Sequence, residues 1–343
     1  MDDVVLRVRD LRTQFRTRAG TVDAVADVSF EVRRGETVAL VGESGSGKSV
    51  TALSILQLLE STGSIANGSI EFDGRELVGL SEKELRAIRG RDISMIFQDP
   101  STCLDPVFTI EDQLVETLTI HGRSKSEAKV RALELLRLVR MPDPERRLKA
   151  YPHELSGGQR QRAMIAMSLA LNPKLIIADE PTTALDVTVQ AQILDLLRLL
   201  QDETGAAVLF VTHDLGVVAE IADRVVVMYA GQVVEQGSVR DVLKDPQNPY
   251  TSALLASMPG MVAGSGSRLT PIEGVVPSLF DMPAGCRFAP RCAHEWAACQ
   301  EPPPLVPFGN QRESRCWLRV PEAVAERERD AVGGTIIGAG GRR

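Results

Sequence analysis

The chain has no long apolar run. Nowhere in its 343 residues does an apolar stretch approach the roughly eighteen residues needed to span a bilayer. It has no basic excess either: 39 Lys and Arg stand against 46 Asp and Glu, a net charge of −7. That balance gives no support to nucleic-acid binding as its main task. The opening Met1-Asp2-Asp3 is acidic and lacks a hydrophobic signal region. No internal repeat and no sustained heptad pattern occurs, which sets aside a long coiled coil. These absences together predict a cytosolic protein that reaches a membrane only through partners. What remains is ordinary globular composition, 43% apolar, in a length that allows one large domain plus an appendage.

Three motifs stand out in that frame. Residues 42–49 read Gly-Glu-Ser-Gly-Ser-Gly-Lys-Ser, after the short apolar run Val38-Ala39-Leu40-Val41. A buried strand, a glycine-rich turn and a helix from about Lys48 are expected. Gly42, Gly45 and Gly47 permit backbone angles that bulkier residues resist. The N–H groups of this loop, Ser44 included, can curl around a phosphate at the helix N-terminus. Lys48 adds a charge for the β- and γ-phosphates of ATP, and Ser49 Oγ can ligate Mg²⁺. Leu175-Ile176-Ile177 then forms a second buried strand, ending at Asp179 and Glu180. A carboxylate at the C-terminal edge of a parallel strand lies beside the phosphate loop. Asp179 is placed on the Mg²⁺ through water, and Glu180 as the general base for the attacking water. Last, Leu155-Ser156-Gly157-Gly158-Gln159 offers a second anion site, at the start of a helix running to about Leu171. A simple N-cap explains Ser156 but not the whole string. Within one subunit a second site is redundant; it makes sense closing over the γ-phosphate held by a partner.

Alternating strand patterns occupy residues 4–36, with shorter strands at 70–77, 91–97, 206–212 and 224–229 and a hairpin at Gly231. Residues 108–172 read as helical, and 187–202 as an amphipathic helix. This predicts an α/β fold: a mostly parallel sheet, an N-terminal antiparallel part and a helical insertion. A glycine/serine linker at 263–267 separates this core from the remainder.

The set of motifs resembles the ATP-binding cassette (ABC) ATPases over about residues 5–255, in the family's order. The resemblance implies further roles. Gln98, in Met95-Ile96-Phe97-Gln98-Asp99, matches the glutamine that senses Mg²⁺ and contacts membrane subunits. Ala184-Leu185-Asp186 matches the loop that crosses the dimer interface. His213 matches the switch histidine that contacts the γ-phosphate. The family's adenine-stacking aromatic has no clear counterpart: position 19 is Ala, and Phe15 is the nearest aromatic. Phe15 is assigned to the base, with packing on the N-terminal sheet as its alternative.

Cys286, Cys292, Cys299 and Cys316 crowd the C-terminal part, with five, six and sixteen residues between them. A cytosolic chain should not hold these as disulfides. Four thiolates in a segment rich in proline and glycine suit a soft metal centre that cross-links it. Neither of the two shorter gaps is the tight knuckle of structural zinc sites. Four reduced cysteines in a loop-rich tail are the plain alternative. Asn248-Pro249-Tyr250-Thr251 and Gly285-Cys286-Arg287-Phe288-Ala289-Pro290-Arg291-Cys292 resemble the extension of oligopeptide/dipeptide and nickel importer ATPases. That resemblance implies a [4Fe–4S] cluster on the four cysteines, with zinc as the alternative. Cys103 is read as an ordinary small residue.

The resemblance gives three regions: a nucleotide-binding domain over 1–255 with its helical subdomain near 99–172, an extension over 256–325, and a disordered tail over 326–343. It implies an ATPase that energises peptide import from the cytoplasmic face of the membrane. Its expected partners are a second, paralogous ATPase subunit, two transmembrane permease subunits and an extracytoplasmic solute-binding protein, with no nucleic acid. Nickel import, or a non-transport ATPase of DNA repair or the ribosome, is the alternative.

Overall fold

A computed structural model describes residues 3–183, 186–258, 271–309 and 311–336. Twelve strands occur among them: β1 (Val4–Thr17), β2 (Gly20–Arg33), β3 (Thr37–Val41), β4 (Gly63–Phe72), β5 (Arg75–Glu76), β6 (Ile93–Ile96), β7 (Leu175–Asp179), β8 (Ala207–Thr212), β9 (Arg224–Tyr229), β10 (Gln232–Ser238), β11 (Leu305–Phe308) and β12 (Arg312–Arg315). They form two sheets. One is antiparallel, ordered β2-β1-β4-β5; the other is ordered β11-β12-β10-β9-β3-β8-β7-β6. In the second, β9-β3-β8-β7-β6 is parallel throughout, and β10, β12 and β11 extend it antiparallel. The α/β expectation therefore holds, including the antiparallel N-terminal part.

The central strands read as continuous apolar runs because both their faces are covered. In β7, Leu175 and Ile177 enter one core, while Ile176 enters another on the opposite face. In β8, Leu209 and Val211 join the first core, and Val208 and Phe210 the second. The first core is shared with the antiparallel sheet, through Leu6, Val28 and Ile70. The second belongs to the helical insertion, through Leu114, Leu118, Leu135, Leu136 and Ile165.

That insertion holds five helices, Pro100–Cys103, Ile110–Ile120, Lys125–Leu138, Pro144–Leu148 and Gly157–Ser168. Reciprocal side-chain caps start three of them, from Thr109 with Asp112, Ser124 with Glu127 and Ser156 with Gln159. The last ends at Ser168, three residues before its expected limit.

The extension packs on the cassette and adds to its sheet. Phe288, 5% exposed, enters a third core with Tyr229, Tyr250 and Leu254, and Ile272, Val276, Cys286 and Cys292 pack against it. Its strand β12 pairs with β10 through Glu235–Ser314 and Gln236–Glu313. Beneath that pairing Glu235 is fully buried, accepting hydrogen bonds from the Gln247 and Asn248 amides at 2.8 and 2.9 Å and facing Arg312 at 3.4 Å. Burial pushes its carboxyl above the usual range. The expected linker 263–267 lies outside the described residues. The expected disordered tail begins inside a helix, Pro321–Ile336, and residues 337–343 lie outside the described ones.

Candidate functional site

Strand β3 runs straight into the loop Gly42–Gly47, and a helix follows over Lys48–Ile55. Two glycines are required here. A Cβ on Gly42 would meet the Met228 carbonyl oxygen at 2.1 Å. Gly47 caps the helix with φ +97°, and a Cβ there would meet the Ala24 carbonyl at 2.8 Å. The loop thus lies pressed on the end of β9 and lines a cleft of about 800 Å³. Residues 42–50 line that cleft together with Ala24, Gln98, Glu180, His213, Leu254, Val276 and Leu279.

Lys48, 5% exposed, curls back over its own loop, donating to the carbonyls of Gly42 at 2.8 Å and Glu43 at 3.1 Å. Burial lowers its pKa; the carboxylates of Glu180, Asp179 and Glu43 act in the other direction. Ser49 Oγ donates to Asp179 Oδ1 at 3.0 Å. Asp179 lies under the loop, 6% exposed, and burial pushes its pKa up against the opposing Ser49 hydrogen bond and Lys48 charge. A hydroxyl and a carboxylate at this spacing are the hard oxygen donors that Mg²⁺ selects, and they fit it.

Glu180 follows β7 with φ +45°, its amide donating to the Val211 carbonyl at 2.9 Å. That turn brings its side chain into the cleft, where three groups hold it. Gln98 Nε2 donates to Oε2 at 3.1 Å, Thr183 Oγ1 donates to Oε2 at 2.9 Å, and His213 Nδ1 lies 3.2 Å from Oε1. Residues from the ends of β6, β7 and β8 thereby meet on one carboxylate. Sequence reasoning missed Thr183, whose role depends on the turn after Pro181.

Other expected residues lie elsewhere. Phe15 does not line the cleft; it stands opposite Gly63 in the antiparallel sheet, and a Cβ on Gly63 would meet its ring at 2.9 Å. Ser156, Gly157, Gly158 and Gln159 are also outside the cleft, at the start of the helix Gly157–Ser168. Ser156 Oγ accepts from the Gln159 amide at 3.3 Å, and Gly158 lies against Val189, where a Cβ would come within 2.9 Å. Asp186 caps the helix Val187–Thr204 by accepting from the Val189 amide at 2.9 Å. Ala184 and Leu185 lie outside the described residues.

A second cavity is lined by all four C-terminal cysteines, with His294, Trp296, Trp317, Phe288 and Tyr229 among its walls. The thiols are free. Burial raises the pKa of Cys286 and Cys292 and pushes Cys316 up to about 11. Among the described residues, no group of three or more His, Cys, Asp or Glu side chains is gathered so as to hold a metal ion. The expected iron–sulfur or zinc ligation therefore gains no support from the donor geometry. Cys103 ends the helix Pro100–Cys103, apart from the other cysteines, and packs on the insertion's core.

Between the two cavities stands Arg291, its side chain 3% exposed. It donates to both carboxylate oxygens of Glu43, at 2.8 and 3.1 Å, and to the carbonyls of Glu273 at 3.0 Å and Ile272 at 3.4 Å. The Tyr250 hydroxyl accepts from the Glu43 amide at 3.0 Å. Glu43 and Arg291 lie inside motifs but were given no role of their own from the sequence, and Val276 and Leu279 lie outside every motif.

A phosphate loop after a parallel strand, with two carboxylates at the end of β7 two places along the sheet, defines a nucleotide-hydrolysing cassette, and residues 25–183 match the ABC transporter family. Residues 234–299 match the oligopeptide/dipeptide transporter C-terminal region. The probable peptide ABC transporter ATP-binding protein y4tR of Sinorhizobium fredii is 56% identical over 92% of this chain and 95% of that protein. The oligopeptide transport ATP-binding protein OppD of Bacillus subtilis is 49% identical over 96% of this chain and 92% of that protein. Among solved structures, the dimeric cassette MJ0796 in a post-hydrolysis state bound to ADP and phosphate superposes with TM-score 0.62 and 31% identity, over 68% of this chain and 99% of that one. The cbiO1 subunit from Clostridium perfringens gives TM-score 0.61 and 29% identity, over 71% and 92%. The chain belongs to the ABC transporter ATPases, in their oligopeptide/dipeptide importer family. It is an ATPase subunit.

Proposed function

We propose that this ATPase energises the import of peptides across the cytoplasmic membrane, working peripherally on its inner face. The observation that carries the chemistry is the single carboxylate of Glu180, held beside the phosphate loop by Gln98, Thr183 and His213. The triphosphate lies along the amides of Gly42 to Gly47. Lys48 exchanges the Gly42 and Glu43 carbonyls for β- and γ-phosphate oxygens. Ser49 and Asp179, with Gln98 nearby, are the residues that would hold Mg²⁺, whose charge offsets that of the phosphates. Glu180 takes a proton from water as the water oxygen bonds to the γ-phosphorus; the bond to the β-phosphate oxygen breaks, giving ADP and phosphate. His213 is placed to follow the γ-phosphate through its contact with Glu180.

Ser156 to Gln159 lie outside this cleft, so their anion-binding helix start serves the nucleotide of a second ATPase subunit, with Asp186 near the same junction. Two permease subunits and an external binding protein complete the importer. Val107 and Phe108, 70% and 50% exposed in the segment beyond Gln98, support a permease contact there. Among the described residues no helix is long and apolar enough to cross a membrane, so the path for peptide is assigned to other chains. Glu180→Gln tests the reading: ATP binding should persist while phosphate release stops. Hydrolysis at the parent rate would remove Glu180 as the base.

The four cysteines carry a second proposal, a [4Fe–4S] cluster. Its support is that four free thiols line one cavity. Zinc on the same thiols is the alternative. Anaerobically purified protein should be brown and hold about four irons per chain; colourless protein with one zinc would replace this reading.

A further inference from the structure

The nucleotide cleft carries a negative charge that the hydrolysis does not use. Among the described residues lining it, the charged side chains are Glu43, Lys48 and Glu180, with His213 beside them. Glu180 is the base, and Asp179 beneath the loop is placed on Mg²⁺. Glu43, the second residue of the phosphate loop, has neither role, and its side chain is 27% exposed. Left bare, that carboxylate would repel the polyanion the loop is built to hold.

The extension supplies the counter-charge. Arg291 Nη1 donates to Glu43 Oε2 at 2.8 Å and Nη2 donates to Oε1 at 3.1 Å, a planar fork on a planar carboxylate. The guanidinium also has a hold that does not involve Glu43. Its Nε donates to the Glu273 carbonyl at 3.0 Å, its Nη2 to the Ile272 carbonyl at 3.4 Å, and it stands 5.7 Å from the centre of the Tyr229 ring. Glu43 likewise has anchors of its own: its amide donates to the Tyr250 hydroxyl at 3.0 Å, and its carbonyl accepts from Lys48 at 3.1 Å. Removing either charge therefore leaves the other in place beside the loop.

We infer that Arg291 is a positioning residue of the nucleotide site, acting through Glu43: it neutralises and fixes that side chain, so that the phosphate loop meets the triphosphate with no bare carboxylate of its own. This rests on the phosphate-loop reading above. A residue of the extension thereby completes the charge balance of the cassette's loop.

Two substitutions that break the same pair separate charge from simple tethering, because they should act with opposite sign. Calorimetry of the full chain with ADP and with a non-hydrolysable ATP analogue, each with Mg²⁺, reads both. Arg291→Gln bares the Glu43 carboxylate and should weaken the analogue about tenfold at low salt, the effect of one unit charge near the phosphates. The loss should be smaller for ADP, which carries less charge, and should shrink as salt is raised. Glu43→Gln keeps the shape but leaves the Arg291 cation uncompensated, and should tighten the analogue by about threefold. The double variant Glu43→Gln/Arg291→Gln should return to within about twofold of the parent. A tie that merely holds the extension in place predicts weaker binding from both single substitutions, and that result would overturn the proposal. Equal losses for ADP and the analogue at every salt in Arg291→Gln would overturn it too, as would a double variant as weak as Arg291→Gln. Should Arg291→Gln fail to fold, the sign of the shift in Glu43→Gln decides alone. Parent protein that binds neither nucleotide would sink the phosphate-loop reading itself; parent protein that binds both, with the wrong signs in the variants, would sink only the role of Arg291.

Discussion

The nucleotide cleft and the cysteine cavity lie on either side of Arg291 and are built in opposite ways. The cleft is backbone work. Its loop is six consecutive residues, 42–47, its glycines fit against β9 and Ala24, and its charged groups already have partners: Lys48 on two carbonyls, Asp179 on Ser49, Glu180 on three side chains. The cavity draws its thiols from four separate places between Cys286 and Cys316, and burial favours their neutral form at Cys286, Cys292 and Cys316. A site made from contiguous backbone is shaped before its ligand arrives. A site made from scattered side chains depends on long-range packing, and on whatever binds there.

The largest expected effect falls on the cleft. Glu180→Gln should slow ATP hydrolysis by about 10²–10⁴-fold, the usual contribution of a positioned base, with ATP affinity nearly intact. Phosphate release and calorimetry measure the two; loss of both together would mean that Glu180 shapes the site as well as reacting in it. Phe288→Ala comes next, removing a buried ring shared by Tyr229 and Tyr250. It should cost about 3–5 kcal/mol in denaturant unfolding if the extension folds as one body with the cassette. A separate early transition for the extension would break that unity. Gly42→Ala forces a methyl onto the Met228 carbonyl and should cost about 1–3 kcal/mol while weakening ATP binding; an unaffected variant would show that the loop yields where the cleft is claimed to be rigid.

The smallest effect concerns pH at the seam between the two regions. Glu235 binds its proton more tightly folded than unfolded, because burial raises its pKa. Its contribution to stability is therefore present below the unfolded value of about 4.3 and is lost as pH rises through the raised folded value. Glu235→Gln removes that slope. Relative to the parent, the variant should gain stability as pH rises from about 4 through the raised folded value, read in urea midpoints; a flat difference would mean that the buried carboxylate is fully compensated by the Gln247 and Asn248 amides.

The legible parts were those whose cause is local. Residues 38–49 spell strand, turn and helix in one stretch, and Leu175 to Glu180 spell a buried strand with acids at its end. Of the insertion's paired caps, only Ser156 was read as an N-cap from the sequence. Strand β4 begins at Gly63, ahead of the expected start, because Ser64, Asn67 and Gly68 carry no strand signal of their own and are held by pairing with β1. Strands β11 and β12 were unexpected, since each is four residues long and owes its place to β10. The contact of Arg291 with Glu43 spans 248 positions, beyond any periodicity.

The hairpin of β11 and β12 has a consequence for how the molecule keeps to itself. Without it, β10 would be a sheet margin with unpaired amides and carbonyls beside Val233 and Val234, the kind of border that recruits foreign strands. With it, the outermost strand is four residues long and contains Pro307, which has no amide hydrogen to offer. The opposite margin, β6, is equally short. The extension thereby works as a hem, leaving the great sheet of the cassette little open selvage for a stray chain to stitch onto.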